Sequence, residues 1–295
     1  PDLKAGRLNE LRKLKYFTFI EGDIADQGCL DKLARDHDGI DTILHLAAQA
    51  GVRYSLKNPH SYAHSNLKGQ TCILEFTRSL KERGKLKHLV YASSSSVYGA
   101  NTKLPFSESD RVDYPVSLYA ATKRSGELLA QSYAHLYGIA ATGLRFFTVY
   151  GAWGRPDMAY YSFTKALFEN RKLQIFNNGD MGRDFTYIDD IVKGIVSVIS
   201  NPPATGDAGT LADTPHRILN LGNNKPERLM DFLKILENLT GREADVELLP
   251  MQPGDVKETY ADISLAKKIV GFEPKTPLDK GLPEFVDWYK WFYNE

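Results

Sequence analysis

Residues 89–99, LVYASSSSVYG, carry an apolar run into four consecutive serines and a turn glycine. A short run without polar alternation fits a strand covered on both faces, as in a parallel sheet. Working outward, residues 42–46 (TILHL) and Ala141–Phe146 (ATGLRF) share this texture, and residues 16–21 (YFTFIE) make a fourth strand candidate. Helical spacing separates them at residues 26–36, 60–83 and 117–137. Strand–helix alternation of this kind predicts an α/β fold on a parallel sheet.

The texture changes after Gly151. Helices are expected at 160–170, 189–200, 228–240, Ser264–Val270 and Leu278–Tyr293, with short strands at 173–177 and near 218–221. Residues 201–214 (NPPATGDAGTLADT) read as a polar surface loop. A division into residues 1–150 and a smaller mixed α/β domain over 151–295 follows, with 183–222 returning to the first.

Lys+Arg and Asp+Glu both number 37, so the formal charge is zero. That leaves no general field for nucleic acid or an anionic membrane, and an anionic ligand must be gripped by a few placed groups. Apolar content of 42% and charged content of 25% fit a folded globular chain rather than disorder. No apolar run approaches the roughly 18 residues of a membrane span. Two cysteines, Cys29 and Cys72, make no disulfide framework, so a reducing, cytoplasmic setting is expected, and no metal.

The chemistry centres on Tyr119 and Lys123, at i and i+4 if 117–137 is a helix. An ammonium beside a phenol favours the phenolate, and a phenolate is a general base for a sugar hydroxyl. A serine at the carboxyl end of the 89–93 strand lies where open α/β sheets place their ligands. Four serines are also compatible with a plain loop. Their position between a strand and a helix opened by tyrosine favours a site.

These segments, with Gly22-Asp23-Ile24, His45-Leu46-Ala47-Ala48, Asn66, Arg145-Phe146-Phe147, 182–185 (GRDF) and 253–255 (PGD), resemble extended short-chain dehydrogenases/reductases of the nucleotide-sugar epimerase branch. Residues 47–54 (AAQAGVRY), 145–158 (RFFTVYGAWGRPDM) and 180–190 (DMGRDFTYIDD) look most like UDP-glucuronate 4-epimerases. The resemblance implies a Rossmann-like sheet, NAD as cofactor, a UDP-sugar substrate and a homodimer through the 60–83 and 117–137 helices. It implies that Tyr119 is the base, with Lys123 its partner and a ribose ligand, and that Ser94 completes the triad. Ser96, two residues on, is expected on the same strand face.

For the cofactor the resemblance implies Asp23, Ile24, Leu46, Ala47, Ala48, Asn66, Ser93 and Phe147, besides Tyr119 and Lys123. For the substrate it implies Ser94, Ser96, Thr148, Arg155, Gln174, Phe176, Arg183 and Asp255. By residue type alone, Asp23 reads equally as a turn residue, Phe147 as core, Arg155 as structural, and Arg183 and Asp255 as solvated. Thr148 stands where UDP-galactose epimerases carry asparagine, which leaves room for a C5 carboxylate. Ser95 and Ser96 stand where related decarboxylases and dehydratases carry acids. UDP-hexose epimerisation, decarboxylation and a non-catalytic sugar-nucleotide-binding module are the alternatives. The family's glycine-rich loop and acidic ribose residue do not occur in the first 50 residues. The expectation is that the first βαβ unit is missing, that Pro1 is a truncated start, and that the 295 residues alone bind NAD poorly.

Overall fold

The computed structural model describes residues 2–252 and 256–295. Its main sheet contains β1 (Thr42–His45), β2 (His88–Ser94), β3 (Ala141–Phe146) and a later strand, β7 (His216–Leu221), all parallel in the order β1-β2-β3-β7. Between them in the chain come β4 (Thr148–Tyr150), β5 (Leu173–Ile175) and β6 (Gly182–Tyr187). After them come β8 (Pro226–Arg228) and β9 (Val246–Leu248). β4 pairs parallel to β6, β6 antiparallel to β8, and β5 parallel to β9.

The helices are α1 (Asp2–Arg12), α2 (Gln27–Asp36), α3 (Val52–Lys57), α4 (Pro59–Tyr62), α5 (Gly69–Glu82) and α6 (Leu118–Tyr137). They continue with α7 (Ala159–Phe168), α8 (Ile188–Ile199), α9 (Leu229–Thr240), α10 (Ser264–Val270) and α11 (Leu278–Tyr293). Strand side chains alternate between the faces. Leu89 and Tyr91 pack with Leu30 of α2, Ile73 of α5 and Ala130 of α6. Val90 packs on the opposite layer with Ile191 of α8 and Ala266 of α10. Covering both faces explains the continuous apolar runs, and the expected α/β, Rossmann-like architecture is what forms.

A separate core behind Tyr150 is rich in aromatics. Phe185 of β6 stacks on Phe232 of α9 at 4.6 Å, and Tyr160 meets Phe285 of α11 edge-on at 4.8 Å. The chain returns to the main sheet through α8 and β7, while β6 stays with β4 and β8.

Two expectations change. Residues 16–21 form no strand: Tyr16, Phe19 and Ile20 lie exposed in irregular chain. Among the described residues this run has no ladder partner, because the sheet ends at β1. Strand composition without a neighbour to satisfy its backbone does not make a strand. The helix expected over 60–83 is α4, a π-helical turn over Ala63–Lys68, and α5. The turn brings buried Asn66 against the loop after β1. No helix among the described residues is long and apolar enough to cross a membrane, and Cys29 and Cys72 are both free thiols.

Candidate active site

β2 ends at Ser94, whose side chain accepts from Ser96 N at 3.2 Å and caps the short 3-10 turn Ser95–Tyr98. Ser96 is therefore not on the strand face. It reaches the same place by the turn, with the Ser94 hydroxyl donating to its Oγ at 3.1 Å. Ser117 caps α6 by accepting from Ala120 N at 3.1 Å, which sets Tyr119 in the first turn opposite Ser94.

The Tyr119 phenol is half-buried, and the Ser94 hydroxyl acts on it from the end of β2. Burial raises its pKa above the usual tyrosine value, against lowering by the Ser94 hydroxyl and the Arg155 charge. Lys123 does not supply that lowering. Its ammonium donates to the Ala92 carbonyl at 2.9 Å, and burial drops its own pKa to about 8 against the opposing pull of Glu127. The lowering expected from Lys123 is not among the influences on Tyr119 here. One N–H of the ammonium goes to the strand backbone, and desolvation of the phenol outweighs the groups that favour its anion.

A cleft at the end of β2 is lined by Ser95, Ser96, Thr148, Arg183, Val52 and Phe106. Thr148 opens β4 opposite Phe185. Arg183 donates through Nη1 to the carbonyls of Gly182 and Lys257 at 2.8 and 3.0 Å. Arg155 forms a two-pronged pair with Asp157 while its charge reaches Tyr119. Phe147 lies in the core, tilted against Tyr98 at 6.3 Å.

Other expected residues lie elsewhere or are already engaged. Leu46, Ala47 and Ala48 follow β1 at the same carboxyl edge of the sheet, with Leu46 exposed. Asn66 holds both backbone groups of Gln49, at 2.8 and 3.0 Å, and donates to the Thr122 hydroxyl at 3.0 Å, so it fixes that loop to α6. Ser93 donates its hydroxyl inward to Glu127 at 2.6 Å. Asp23 accepts from Ala25 N at 2.9 Å and pairs with His64 at 2.8 Å, which holds its carboxyl below the usual range. Ile24 packs against the core beside it.

Gln174 is exposed on β5 and donates to Glu247 of β9 at 3.2 Å, apart from the cleft-lining residues. Phe176 just follows β5, and the Arg53 guanidinium lies 4.5 Å over its ring. Asp255 lies outside the described residues.

Reading the sequence missed Tyr62, Asp157, Arg53 and Glu127. The Tyr62 hydroxyl donates to the Ala50 carbonyl at 2.8 Å, and its ring edge meets Tyr119 at 6.1 Å. Glu127 had a signal: Tyr119, Lys123 and Glu127 repeat at four-residue spacing on one helix face.

The sequence profile of the NAD dependent epimerase/dehydratase family matches residues 3–220. Protein CapI of Staphylococcus aureus is 46% identical over 300 aligned residues, covering 99% of this chain and 88% of that protein. UDP-glucuronate 4-epimerase 4 of Arabidopsis thaliana is 47% identical, covering 100% of this chain and 68% of that protein. Among solved structures, UDP-glucuronic acid 4-epimerase from Bacillus cereus, in complex with UDP-glucuronic acid and NAD, superposes with a TM-score of 0.87 at 35% identity. That match covers 99% of this chain and 87% of the other. The chain belongs to the NAD dependent epimerase/dehydratase family.

Proposed function

We propose that this protein interconverts UDP-glucuronate and UDP-galacturonate by epimerisation at C4 through a 4-keto sugar. The observation that carries this reading is the Tyr119 phenol, set opposite Ser94 by the Ser117 cap with Lys123 anchored to β2 behind, beside a cleft that holds Thr148 and Arg183. The residues present fit NAD. Lys123 donates one N–H to Ala92 and has two more for a ribose diol, and exposed Leu46 offers an apolar bed beyond β1. Bound NAD supplies the acceptor and donor of hydride at C4, with no net redox change.

Tyr119 takes the proton from the C4 hydroxyl and later returns it to the same oxygen, while inversion follows from return of the hydride to the opposite face of C4. Ser94 shares that proton path and lowers the cost of the phenolate. The 4-keto sugar must turn over between the two transfers. Val52, Val116 and Phe106 form apolar parts of the cleft wall, where the turning sugar has no side-chain hydrogen bond to break. A ketone β to the C5 carboxylate invites loss of CO₂. Thr148, Ser95, Ser96 and Arg155 hold that carboxylate out of the eliminating geometry, and no carboxylate occurs among the described residues lining the cleft to move a C5 proton. Arg183 and Arg53 grip the diphosphate, and Phe176 and Gln174 flank the uracil, with Asp255 toward its ribose.

Residues 1–150 with the returning segment form the cofactor half of this reading, and residues 151–295 the nucleotide half. Exposed Leu128 and Leu136, two turns apart on α6, supply an apolar strip for a homodimer. Two free thiols suit a reducing, cytoplasmic setting. Incubation with NAD and UDP-glucuronate, read by proton NMR, tests the reaction. UDP-galacturonate is expected. UDP-xylose with CO₂, or turnover of UDP-glucose alone, overturns the reading.

A further inference from the structure

Glu127 lies one turn beyond Lys123 on α6 and is 1% exposed. A carboxylate that deep is costly unless fully partnered. Arg145 donates to both of its oxygens at 2.8 and 2.9 Å, Arg124 at 3.0 Å, and the Ser93 hydroxyl at 2.6 Å. Arg145 in turn lies 4.9 Å under the ring of Tyr98, whose hydroxyl donates to Asn220 of β7 at 2.7 Å. The anchor thus reaches across β2, β3 and β7.

Stability alone is a poor reason for such an ion pair, since apolar residues of similar volume commonly stabilise as well or better. Its position suggests another role. Two consecutive residues of β2 dock on α6, the Ala92 carbonyl accepting from Lys123 and the Ser93 hydroxyl donating to Glu127, and the next, Ser94, acts on Tyr119. Glu127 therefore sets the register between the helix bearing Tyr119 and Lys123 and the strand bearing Ser94. Lys123 is half-buried, where low polarity disfavours an ammonium. The charged and titratable groups acting on it are Glu127 from its own helix and His45 from β1, a buried ring that is neutral at pH 7. Arg124 and Arg145 (β3) face Glu127.

We propose that Glu127 is a positioning residue for proton transfer at Tyr119, seating Lys123 against β2 and supplying the anionic field that keeps its ammonium charged. It touches neither substrate nor reacting atoms. The inference rests on the roles given above to Tyr119 and Lys123.

Glu127→Gln removes the charge and keeps the shape. Glu127→Gln/Arg145→Met also removes the cation that the first variant orphans, so a folded protein remains available. Lysines labelled with carbon-13 at Cε are titrated by NMR in wild type and both variants, with Lys123→Met identifying the resonance. In parallel, kcat and KM for UDP-glucuronate are followed from about pH 6 to about pH 10. In both variants Lys123 is expected to titrate about one pH unit lower than in wild type. The alkaline fall in kcat moves with it, and KM changes by less than about twofold. A Lys123 titration unmoved in the double variant overturns the proposal, as does a fall in kcat that leaves the alkaline limb in place. Absence of epimerisation in wild type sinks the functional reading instead, and the lysine titration still decides the role of Glu127.

Discussion

A phenol whose surroundings hold it protonated cannot act as a base until something else in the site favours its anion. In this protein the favourable groups around Tyr119 are the Ser94 hydroxyl and the Arg155 charge, and burial outweighs both. Removing the hydroxyl removes the proton acceptor while leaving the ring packed against Tyr62. Tyr119→Phe is expected to cut kcat by about 10²–10⁴-fold. Calorimetric titration should show UDP affinity within about twofold of wild type. A variant that keeps near-normal turnover would remove Tyr119 from the mechanism. Thr148 tests the choice of sugar, because it lines the cleft while its backbone pairs β4 to β6. Thr148→Asn fills the room reserved for a carboxylate. The ratio of kcat/KM for UDP-glucuronate over UDP-glucose is expected to fall about tenfold, and an unchanged ratio speaks against a carboxylate at that position. The four-residue spacing from Tyr119 to Lys123 was readable along the chain. What Lys123 bonds was not, because the Ala92 carbonyl lies 31 residues away and only the fold brings it within 2.9 Å.

Among elements, the turn between β2 and the cleft is tightly packed. Gly99 follows the turn Ser95–Tyr98 with φ 52°, and a Cβ there would collide with the carbonyl oxygen of Tyr114. That oxygen is fixed, since it accepts from Ala100 N at 3.2 Å. Gly99→Ala combines left-handed strain with a backbone clash, so a loss of about 3 kcal/mol is expected in chemical denaturation, with weakened UDP-sugar binding because Gly99 also lines the cleft. A fully stable variant would show that the turn can relax. Elements such as Ala141–Phe146 and Leu278–Tyr293 were legible because each carries its own pattern, an unbroken apolar run in the first and helical spacing in the second. β4, β6 and β8 were not. They are three to six residues long, and their partners, Thr148 with Phe185 and Gly182 with Arg228, are chosen by tertiary packing. The π turn at Ala63–Lys68 was hidden for the opposite reason, since its residues have ordinary helical spacing and only the demand of Gln49 for Asn66 distinguishes it.

Across the whole molecule, the parallel sheet buries three histidines as neutral rings. His45 ends β1 beside Lys123. His88 opens β2 with Nε2 2.9 Å from the Thr142 hydroxyl, and His216 opens β7 between the Tyr91 hydroxyl at 2.8 Å and Gln131 at 2.7 Å. Burial drops each to about 4, from an ordinary value of 6.5. Between those values the unfolded chain binds three protons that the folded chain refuses. Stability is therefore full above pH 6.5 and drains as the pH falls toward 4. Two carboxyls oppose this, and one is Glu108, held by burial above the usual glutamate value. Burial raises the Asp184 carboxyl to about 6, so below that pH the folded state takes a proton more readily than the unfolded chain. Three protons less the one on Asp184 leaves two near pH 5, and Glu108 trims that further, so the slope is at most about 3 kcal/mol per pH unit. Denaturant unfolding at successive pH values measures that slope. His88→Gln keeps a hydrogen-bonding side chain at the start of β2 but cannot titrate, so its slope should be shallower than wild type by one proton. Stability that stays level between pH 7 and pH 5 would mean that these rings accept protons in place, with water or a shifted strand reaching the interior of the sheet.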